Sequence, residues 1–191
     1  KKKKIWLTSD KGMVGSAICK KLRENKINYL KVSRNSLNLT RQAEVEKWVY
    51  SNKPDIIFLA AAKVGGILAN EKFPAEFITN NIQIQTNIIT SAFKNNVKKL
   101  IFLGSACIYP ISKKAIKESD LLTGKLESTN RAYSVAKIAG IEMCKFYKKQ
   151  YDVNYISVQP NNIYGPKDKF DAVQGHVVAS LISKFHKAKI S

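Results

Sequence analysis

The sequence predicts an α/β protein in which helices cover both faces of a doubly wound parallel β-sheet. Short apolar segments alternate along the chain with longer amphipathic segments, which is the pattern of repeated strand–helix–strand units. The segments at 55–60 and 100–104 lack polar residues at every second position, as expected for parallel strands buried on both faces. A length of 191 residues suits one good core and is short for two full domains.

Five strands are predicted from these apolar segments. The segment at 55–60 is apolar enough to be buried on both faces, and Pro160 stops the last strand because proline cannot donate to a strand ladder. The predicted strands lie at 5–8, 29–33, 55–60, 100–104 and 155–159.

Five helices are predicted between and after the strands. In the first, Val14, Ala17, Ile18 and Leu22 share one face, and Thr40 is a suitable N-cap for the second. Residues 111–130 are predicted to be irregular because they are polar and lack a period. The predicted helices lie at 13–24, 41–50, about 75–95, 131–151 and about 175–189.

Composition excludes several classes of protein. The net charge of +19 comes from scattered lysine pairs without interleaved aromatic residues, so a solvated surface is favoured over nucleic-acid binding. Three cysteines without close pairing argue against a disulfide scaffold and a metal site. No apolar run approaches the roughly 20 residues that span a bilayer, and a cytoplasmic protein without membrane or nucleic-acid partners is expected.

The turn after the first strand has the spacing of a dinucleotide-binding turn. Gly12 and Gly15 precede and open a predicted helix, where glycines let backbone amides approach a pyrophosphate. Ser9 stands where the first glycine is usual, and it would be strained if that position needs a positive φ. Arg34 follows the second strand in place of an acid, which favours the 2′-phosphate of NADP(H). The sequence therefore predicts an NAD(P)-binding Rossmann-type sheet.

A tyrosine and a lysine lie four residues apart on one predicted helix. The ammonium of Lys137 beside the phenol of Tyr133 is expected to lower the tyrosine pKa, and such a phenol can exchange a proton with a carbonyl or alcohol oxygen. Ser105, at the end of a strand, could hold the same oxygen. Cys107 lies two positions further on and would point to the same side in an extended segment.

These motifs resemble the GDP-L-fucose synthase family of the extended short-chain dehydrogenase/reductase superfamily. The specific matches are AAAKVGGI at 60–67, GSACIYP at 104–110, YSVAKIAG at 133–140 and NIYGP at 162–166. The resemblance implies an NADPH-dependent enzyme that epimerises C3 and C5 of GDP-4-keto-6-deoxy-D-mannose and then reduces C4. It also implies a homodimer formed through the two long helices.

The resemblance assigns a role to each matching residue. Tyr133 would protonate the C4 oxygen, Lys137 would assist it and hold the nicotinamide ribose, and Ser105 would bind the same oxygen. Cys107 would act as the base in epimerisation and His176 as the second acid or base. The implied cofactor-binding residues are Ser9, Gly12, Met13, Val14, Gly15, Arg34, Ala60, Ala61, Ala62, Lys137, Pro160, Asn161, Ile163 and His176. The implied substrate-binding residues are Lys63, Ser105, Ala106, Cys107, Tyr133, Asn162, Val177 and Lys184.

The sequence departs from the family pattern in two further ways. Lys184 stands where the family places an arginine for the substrate diphosphate, which keeps the charge but loses the bidentate fork. Family members continue for more than a hundred further residues, so the expected organisation is a cofactor-binding domain at 1–170 and the start of a largely missing substrate domain at 171–191.

Other functions stay open at this point. A nucleotide-sugar 4-epimerase or 4,6-dehydratase shares the serine, tyrosine and lysine but needs no cysteine. A non-catalytic cofactor-binding fragment and a polyanion-binding protein are the candidates outside enzymology. Cys107 could be an inert core thiol, and His176 could merely begin a helix.

Overall fold

A computed structural model describes residues 3–171 and 175–190 of the chain. Within them, five parallel strands form one sheet in the order β2-β1-β3-β4-β5. The strands are β1 (Ile5–Leu7), β2 (Tyr29–Leu30), β3 (Ile56–Leu59), β4 (Lys99–Leu103) and β5 (Asn154–Val158). The helices are α1 (Met13–Glu24), α2 (Gln42–Asn52), α3 (Ile67–Lys72), α4 (Pro74–Lys94), α5 (Arg131–Tyr151) and α6 (Val177–Ile190), and Ala106–Ile108 and Glu118–Asp120 form 3-10 turns.

The chain reverses its direction across the sheet at β1. β2 lies on one side of β1 and β3 on the other, so successive right-handed crossovers place α1 and α2 on opposite faces. Helix α4 packs against both α2 and α5 on one face. In open α/β sheets the ligand crevice lies at such a reversal, beyond the carboxyl ends of the strands.

The core is centred on the three middle strands. Trp6, Ile57, Leu100 and Phe102 are completely buried, as the unbroken apolar character of their segments predicts. Each such side chain contributes roughly 1.5–3 kcal/mol by leaving water. This core fixes the ends of the strands from which the functional loops project.

Helices α4 and α5 lie unusually close to each other and to β4. Gln85 Nε2 donates a hydrogen bond of 2.6 Å to the carbonyl of Ala136 across the two helices. A Cβ at Gly140 would lie 2.5 Å from Cζ of Phe102 and 2.8 Å from Oε1 of Gln85. Glycine at this position therefore lets α5, which carries Tyr133 and Lys137, pack against the sheet.

Two local predictions are wrong. Thr40 is not the N-cap of α2: its hydroxyl donates to Oδ1 of Asn38 at 2.8 Å, and Arg41 occupies the cap position. The second strand ends at Leu30, because Ser33 accepts from the backbone amide of Leu37 and starts a turn.

Helix α3 (Ile67–Lys72) was not predicted from the sequence. It begins after Gly66, and Nδ2 of Asn70 donates to the carbonyls of Gly65 and Gly66 at 2.9 and 3.1 Å. The helix is short, and side-chain bonds to its preceding loop hold it, so it leaves little periodic signal. In the described part of the chain, no helix combines the length and apolar character needed to cross a membrane.

Candidate active site

Thr8 joins the turn after β1 to the loop after β3. Its backbone amide donates to the carbonyl of Phe58 at 3.1 Å, and its hydroxyl accepts from the amides of Ala60 and Ala61 at 3.0 and 2.9 Å. Two loops predicted to line the cofactor site are thus fixed to each other by one buried side chain. Sequence reasoning did not assign Thr8 a role, because a threonine ending a strand is too common to signal one.

The first turn leaves no room at Gly15 and open space at Gly12. A Cβ at Gly15 would lie 1.9 Å from the carbonyl oxygen of Ser9, whereas one at Gly12 would have no atom within 4 Å. Ser9 is absent from the residues of positive φ in the described chain, so the strain considered for this serine does not arise. The turn keeps its shape with serine at position 9.

The N-terminus of α1 faces this open space. Gly12 is the N-cap and has no side chain to satisfy the first amides of the helix, of which Met13 and Val14 are the first two residues. Uncapped amides at a helix N-terminus, beside a position where a Cβ would meet nothing, fit a pyrophosphate. A Cβ at Gly165 would lie 3.9 Å from Sδ of Met13, so the loop after β5 borders the same space.

Ser105 and Cys107 are in side-chain contact at the end of β4. Their Oγ and Sγ atoms lie 2.9 Å apart. The contact was expected from an extended segment, but Cys107 lies in the 3-10 turn Ala106–Ile108. Ser134 of α5 holds this turn in place by donating to the carbonyl of Cys107 at 2.8 Å. This positioning role of Ser134 was missed, although the residue lies inside the Tyr133–Lys137 motif.

Lys137 is a buried lysine directed at the end of β4. Its Nζ donates to the carbonyl of Leu103 at 2.7 Å and lies 4.8 Å from the ring centroid of Phe102. Burial lowers the pKa of Lys137 to about 8, and the nearby Cys107 acts in the opposite direction. Its environment therefore makes the ammonium easier to deprotonate than that of an exposed lysine, although it is still mainly charged at pH 7.

The expected lowering of the Tyr133 pKa is wrong for this structure. Burial raises the pKa of Tyr133, the proximity of Cys107 raises it further, and a hydrogen bond with Ser105 lowers it only partly. Nζ of Lys137 lies over the tyrosine ring, 5.7 Å from its centroid, and bonds to a carbonyl. Loss of water thus decides the direction of the pKa shift, and the phenol keeps its proton, which is the state in which it could act as a general acid.

The three cysteines differ in exposure. Cys19 and Cys144 are buried, whereas Cys107 is half-buried. Burial raises the pKa of the Cys144 thiol to about 12, which makes it an inert core side chain. Only Cys107, among the three, combines partial exposure with contacts to the serine and tyrosine cluster.

Lys63 is fixed by side chains of α4. Asn81 accepts from its backbone amide at 2.9 Å and donates to its carbonyl at 2.9 Å. Its ammonium pairs with Glu76 and lies 5.6 Å from the ring centroid of Phe77. The backbone of the 60–63 loop is therefore rigid, and Ala62 precedes this clamp.

The remaining predicted residues lie after β5 or β2, mostly at the surface. Asn161, Asn162 and Ile163 are exposed, as is Arg34 in the turn after β2. His176, Val177 and Lys184 are also exposed, at the start of α6 and within it. The His176 ring contacts Asp168, with Nδ1 and Oδ1 3.3 Å apart. Ser105, Cys107, Tyr133 and Lys137 are thus brought together directly, while His176 belongs to a separate turn.

The sheet, its reversal at β1 and the glycine turn define a Rossmann-like NAD(P)-binding fold. Residues 7–191 match the NAD dependent epimerase/dehydratase family, and the chain belongs to this family.

Curated relatives and solved structures agree with this assignment. The chain is 52% identical to a GDP-L-fucose synthase of Sinorhizobium fredii over 98% of its own length and 60% of that protein, and 46% identical to the GDP-L-fucose synthase of Escherichia coli over 98% and 59%. It resembles MlghC, a GDP-mannoheptose C4 reductase from Campylobacter jejuni with NADP bound, at 39% identity and a TM-score of 0.91, covering 98% of this chain and 56% of that one. The chain therefore spans about three fifths of the length of the relatives it matches.

Proposed function

We propose that the chain carries the cofactor-binding and proton-transferring part of an NADPH-dependent enzyme that converts GDP-4-keto-6-deoxy-D-mannose to GDP-L-fucose. The observation that carries the proposal is the contact of 2.9 Å between Cys107 Sγ and Ser105 Oγ. A C4 reductase or a 4-epimerase needs no thiol there, whereas epimerisation next to a ketone needs a base. The relatives of 52% and 46% identity, which are GDP-L-fucose synthases, support this substrate.

NADP(H) is the proposed cofactor, and the C. jejuni relative contains NADP. The uncapped amides of α1 and the open space at Gly12 suit its pyrophosphate. Arg34 is exposed after β2, as a 2′-phosphate partner must be. When bound, this cofactor supplies the hydride that reduces C4. The adenosine and nicotinamide would be held by the residues assigned above: Ser9, Met13, Val14, Gly15, Ala60, Ala61, Ala62, Lys137, Pro160, Asn161, Ile163 and His176.

Epimerisation would use Cys107 and His176 on opposite faces of the sugar. The thiolate of Cys107 removes the proton on the carbon next to the C4 ketone, leaving an enolate. The His176 imidazolium then returns a proton to the other face of that carbon, which inverts it. The same two steps at C3 and C5 give the 4-keto-6-deoxy-L-galactose configuration without net consumption of a proton.

Reduction would then use Tyr133 and Ser105. As hydride reaches C4, the phenol gives its proton to the oxygen, which becomes a hydroxyl. Ser105 donates a hydrogen bond to this oxygen while charge develops on it. Lys137 lies over the tyrosine ring, where its charge stabilises the phenolate that is left. The substrate itself would lie against Lys63, Ala106, Asn162, Val177 and Lys184, with Lys184 facing the diphosphate.

The proposal includes a division at about residue 170 and a homodimer. Residues 1–170 would form the cofactor domain, and 171–191, of which 172–174 and 191 lie outside the described residues, would begin the substrate domain.

Exposed apolar side chains on α4 and α5, such as Ile82 and Phe146, suit pairing of these helices between two copies. Light scattering during gel filtration should show a dimer, and a monomer at micromolar concentration would refute that part. A cytoplasmic location stays a prediction.

The test measures two signals on this chain and on the longest natural protein that carries it. NADPH oxidation at 340 nm reports reduction, and deuterium uptake from D₂O at C3 and C5 without NADPH reports epimerisation. Tyr133→Phe should slow NADPH oxidation by about 10²–10⁴-fold and leave deuterium uptake unchanged. Cys107→Ser should abolish deuterium uptake, while Cys19→Ala, a thiol away from the site, should keep both.

Each other outcome identifies a different protein. NADPH oxidation without deuterium uptake would indicate a C4 reductase, as in the heptose relative from C. jejuni. Deuterium uptake that survives Cys107→Ser would remove the cysteine from the mechanism. Cofactor binding with neither signal, in both the chain and the longer protein, would indicate a binding module or another nucleotide sugar.

A further inference from the structure

We propose that Asp168 is a positioning residue for His176, holding the Nδ1–H of the imidazole so that Nε2 is the nitrogen that exchanges protons with the substrate. The expected effect of Asp168 on the rate of epimerisation rests on the proposed function. Its expected effect on the tautomer of His176 rests on the structure alone, so the two effects can be tested separately.

The carboxylate of Asp168 is buried beside an exposed imidazole. The Asp168 side chain is 5% exposed and the His176 side chain 53%. Oδ1 of Asp168 lies 3.3 Å from Nδ1 of His176 and accepts from the backbone amide of Lys169 at 2.8 Å. Oδ2 is buried and has no hydrogen-bond partner among residues 3–171 and 175–190. A buried carboxylate is unfavourable unless hydrogen-bond donors face it, and Nδ1 of His176 is placed to donate to this one.

The backbone on both sides is shaped to bring these two residues together. The amide of Asp168 donates to the carbonyl of Gly165 at 3.2 Å, and Lys167 adopts a φ of +68°. A positive φ is unfavourable for a lysine, because its Cβ crowds the backbone. The turn therefore directs the Asp168 carboxylate inward against a local preference of the chain.

Gly175 brings the other residue of the pair into place. Its amide donates to the carbonyl of Asp171 at 3.1 Å. A Cβ at this position would lie 2.4 Å from the carbonyl oxygen of Lys169 and 2.6 Å from that of Asp171. Only glycine allows this approach, and it places the next residue, His176, over Asp168.

The contact determines which nitrogen can react. An ionised carboxylate only accepts hydrogen bonds, so Nδ1 of His176 keeps its hydrogen in both charge states of the ring. Nε2 is then a free acceptor in the neutral ring and a donor in the imidazolium. In the proposed epimerisation, the proton that reaches the sugar leaves Nε2, and Nε2 regains it from solvent. Asp168 itself gains and loses no proton.

Nitrogen-15 NMR of the imidazole rings tests the ring state without any substrate. The chain has two histidines, and exposed His186 on α6 serves as the internal reference. Neutral His176 should be mainly in the Nδ1–H tautomer, and Asp168→Ala should shift it toward the Nε2–H form. Asp168→Asn is the matched control, because its amide oxygen at the position of Oδ1 can still accept from the Lys169 amide and from Nδ1–H of His176. It should therefore keep the Nδ1–H tautomer.

Kinetics of deuterium uptake and NADPH oxidation test the consequence. Asp168→Ala should slow deuterium uptake at C3 and C5 by about 10-fold to 100-fold, the range found for carboxylates that orient metal-binding histidines. Asp168→Asn, which keeps the acceptor oxygen, should slow it less. Reduction of substrate that is already epimerised should change by less than about 2-fold. Glu24→Gln, which removes a carboxylate at the far end of α1, should alter neither rate.

The outcomes separate the two proposals. An unchanged His176 tautomer in Asp168→Ala, or deuterium uptake that Asp168→Ala leaves unchanged in a folded protein, overturns the positioning role. Absence of deuterium uptake in the parent and the longer protein overturns the proposed function, while the NMR result still decides whether Asp168 controls the ring.

Discussion

The two halves of the candidate site differ in how far they are buried and hydrogen-bonded. The β4–α5 half, residues 99–110 and 131–151, is tied together by buried hydrogen bonds. In the β5–α6 half, residues 154–171 and 175–190, β5 pairs with β4, but the residues after β5 are mostly exposed and include the pair of Asp168 and His176. In the first half, Ser134 bonds the turn at Cys107 and Lys137 bonds the end of β4. The serine and thiol, which are in contact, and the neighbouring phenol need fixed geometry, whereas beyond β5 the second half relies on one constrained turn.

Because of this difference, mutations in the two halves should affect different properties of the protein, namely its stability and the geometry of its site. Removing a buried bond of the β4–α5 half leaves an unsatisfied group, which costs about 1–3 kcal/mol. Exposed side chains of the β5–α6 half, such as Val177 and Phe185, bury little surface within the described chain. We therefore expect changes in the first half to alter folding, and changes in the second to alter the site with little effect on folding.

Lys137→Met should give the largest change in stability, and the change should depend on pH. Burial lowers the folded-state pKa of Lys137 from 10.5 to about 8, so the unfolded chain binds the proton more tightly. The parent then gains stability as pH rises through the window from about 8 to 10.5, and below pH 8 it bears the full penalty. The difference between the unfolded-state and folded-state pKa values corresponds to at most about 3 kcal/mol of unfolding free energy.

Urea unfolding of the parent and Lys137→Met at pH 7 and at pH 10 measures this effect. The unfolding free energy of Lys137→Met minus that of the parent should be larger at pH 7 than at pH 10. The reason is that only the parent gains stability when Lys137 loses its proton. Loss of the bond to Leu103 contributes equally at both values and cancels in the comparison. A difference that stays constant with pH would show that Lys137 titrates as an exposed lysine, and would weaken the contrast between the two halves.

Gly140→Ala and Gly175→Ala form a matched pair, one in each half. The first places a Cβ 2.5 Å from the Phe102 ring, and the second places one 2.4 Å from the Lys169 carbonyl. Overpacking a core costs typically 1–3 kcal/mol, so Gly140→Ala should lower the unfolding free energy by about that amount. Gly175→Ala should lower it by less than about 1 kcal/mol and should shift the His176 ring signals in nitrogen-15 NMR. Equal losses of stability would contradict the comparison.

The sequence predicted the sheet and the β4–α5 half well, because their signals are local and regular. The predicted strands lie where β1, β3, β4 and β5 are found, since apolar runs of that length have few other structures open to them. The failures at Thr40 and in the second strand have a common cause. In both places a side chain or turn bond competed with the regular element, and its strength does not show in composition.

Residues whose side chains hold distant parts of the chain in position were the hardest to predict. Thr8 and Ser134 bond to backbone groups 27 to 53 positions away, and no local pattern marks such partners. The pKa of Tyr133 was predicted in the wrong direction, because spacing reveals the neighbouring lysine but not the burial that dominates. Asp168 carries no motif of its own, and only the turn that faces Gly175 places it beside His176.

Phe185→Ser should give the smallest effect of all. The side chain is 72% exposed on α6, so it leaves water only slightly on folding, and exposed substitutions usually change stability by less than about 0.5 kcal/mol. The matched control in the other half is Ile141→Ser, a residue 5% exposed in α5, which should cost several times more because it places a hydroxyl in the core. Urea unfolding of both variants measures the contrast. A loss at Phe185 comparable to that at Ile141 would mean that α6 is packed as tightly as α5 in solution, and the β5–α6 half would then be a structural unit and not an exposed support for His176.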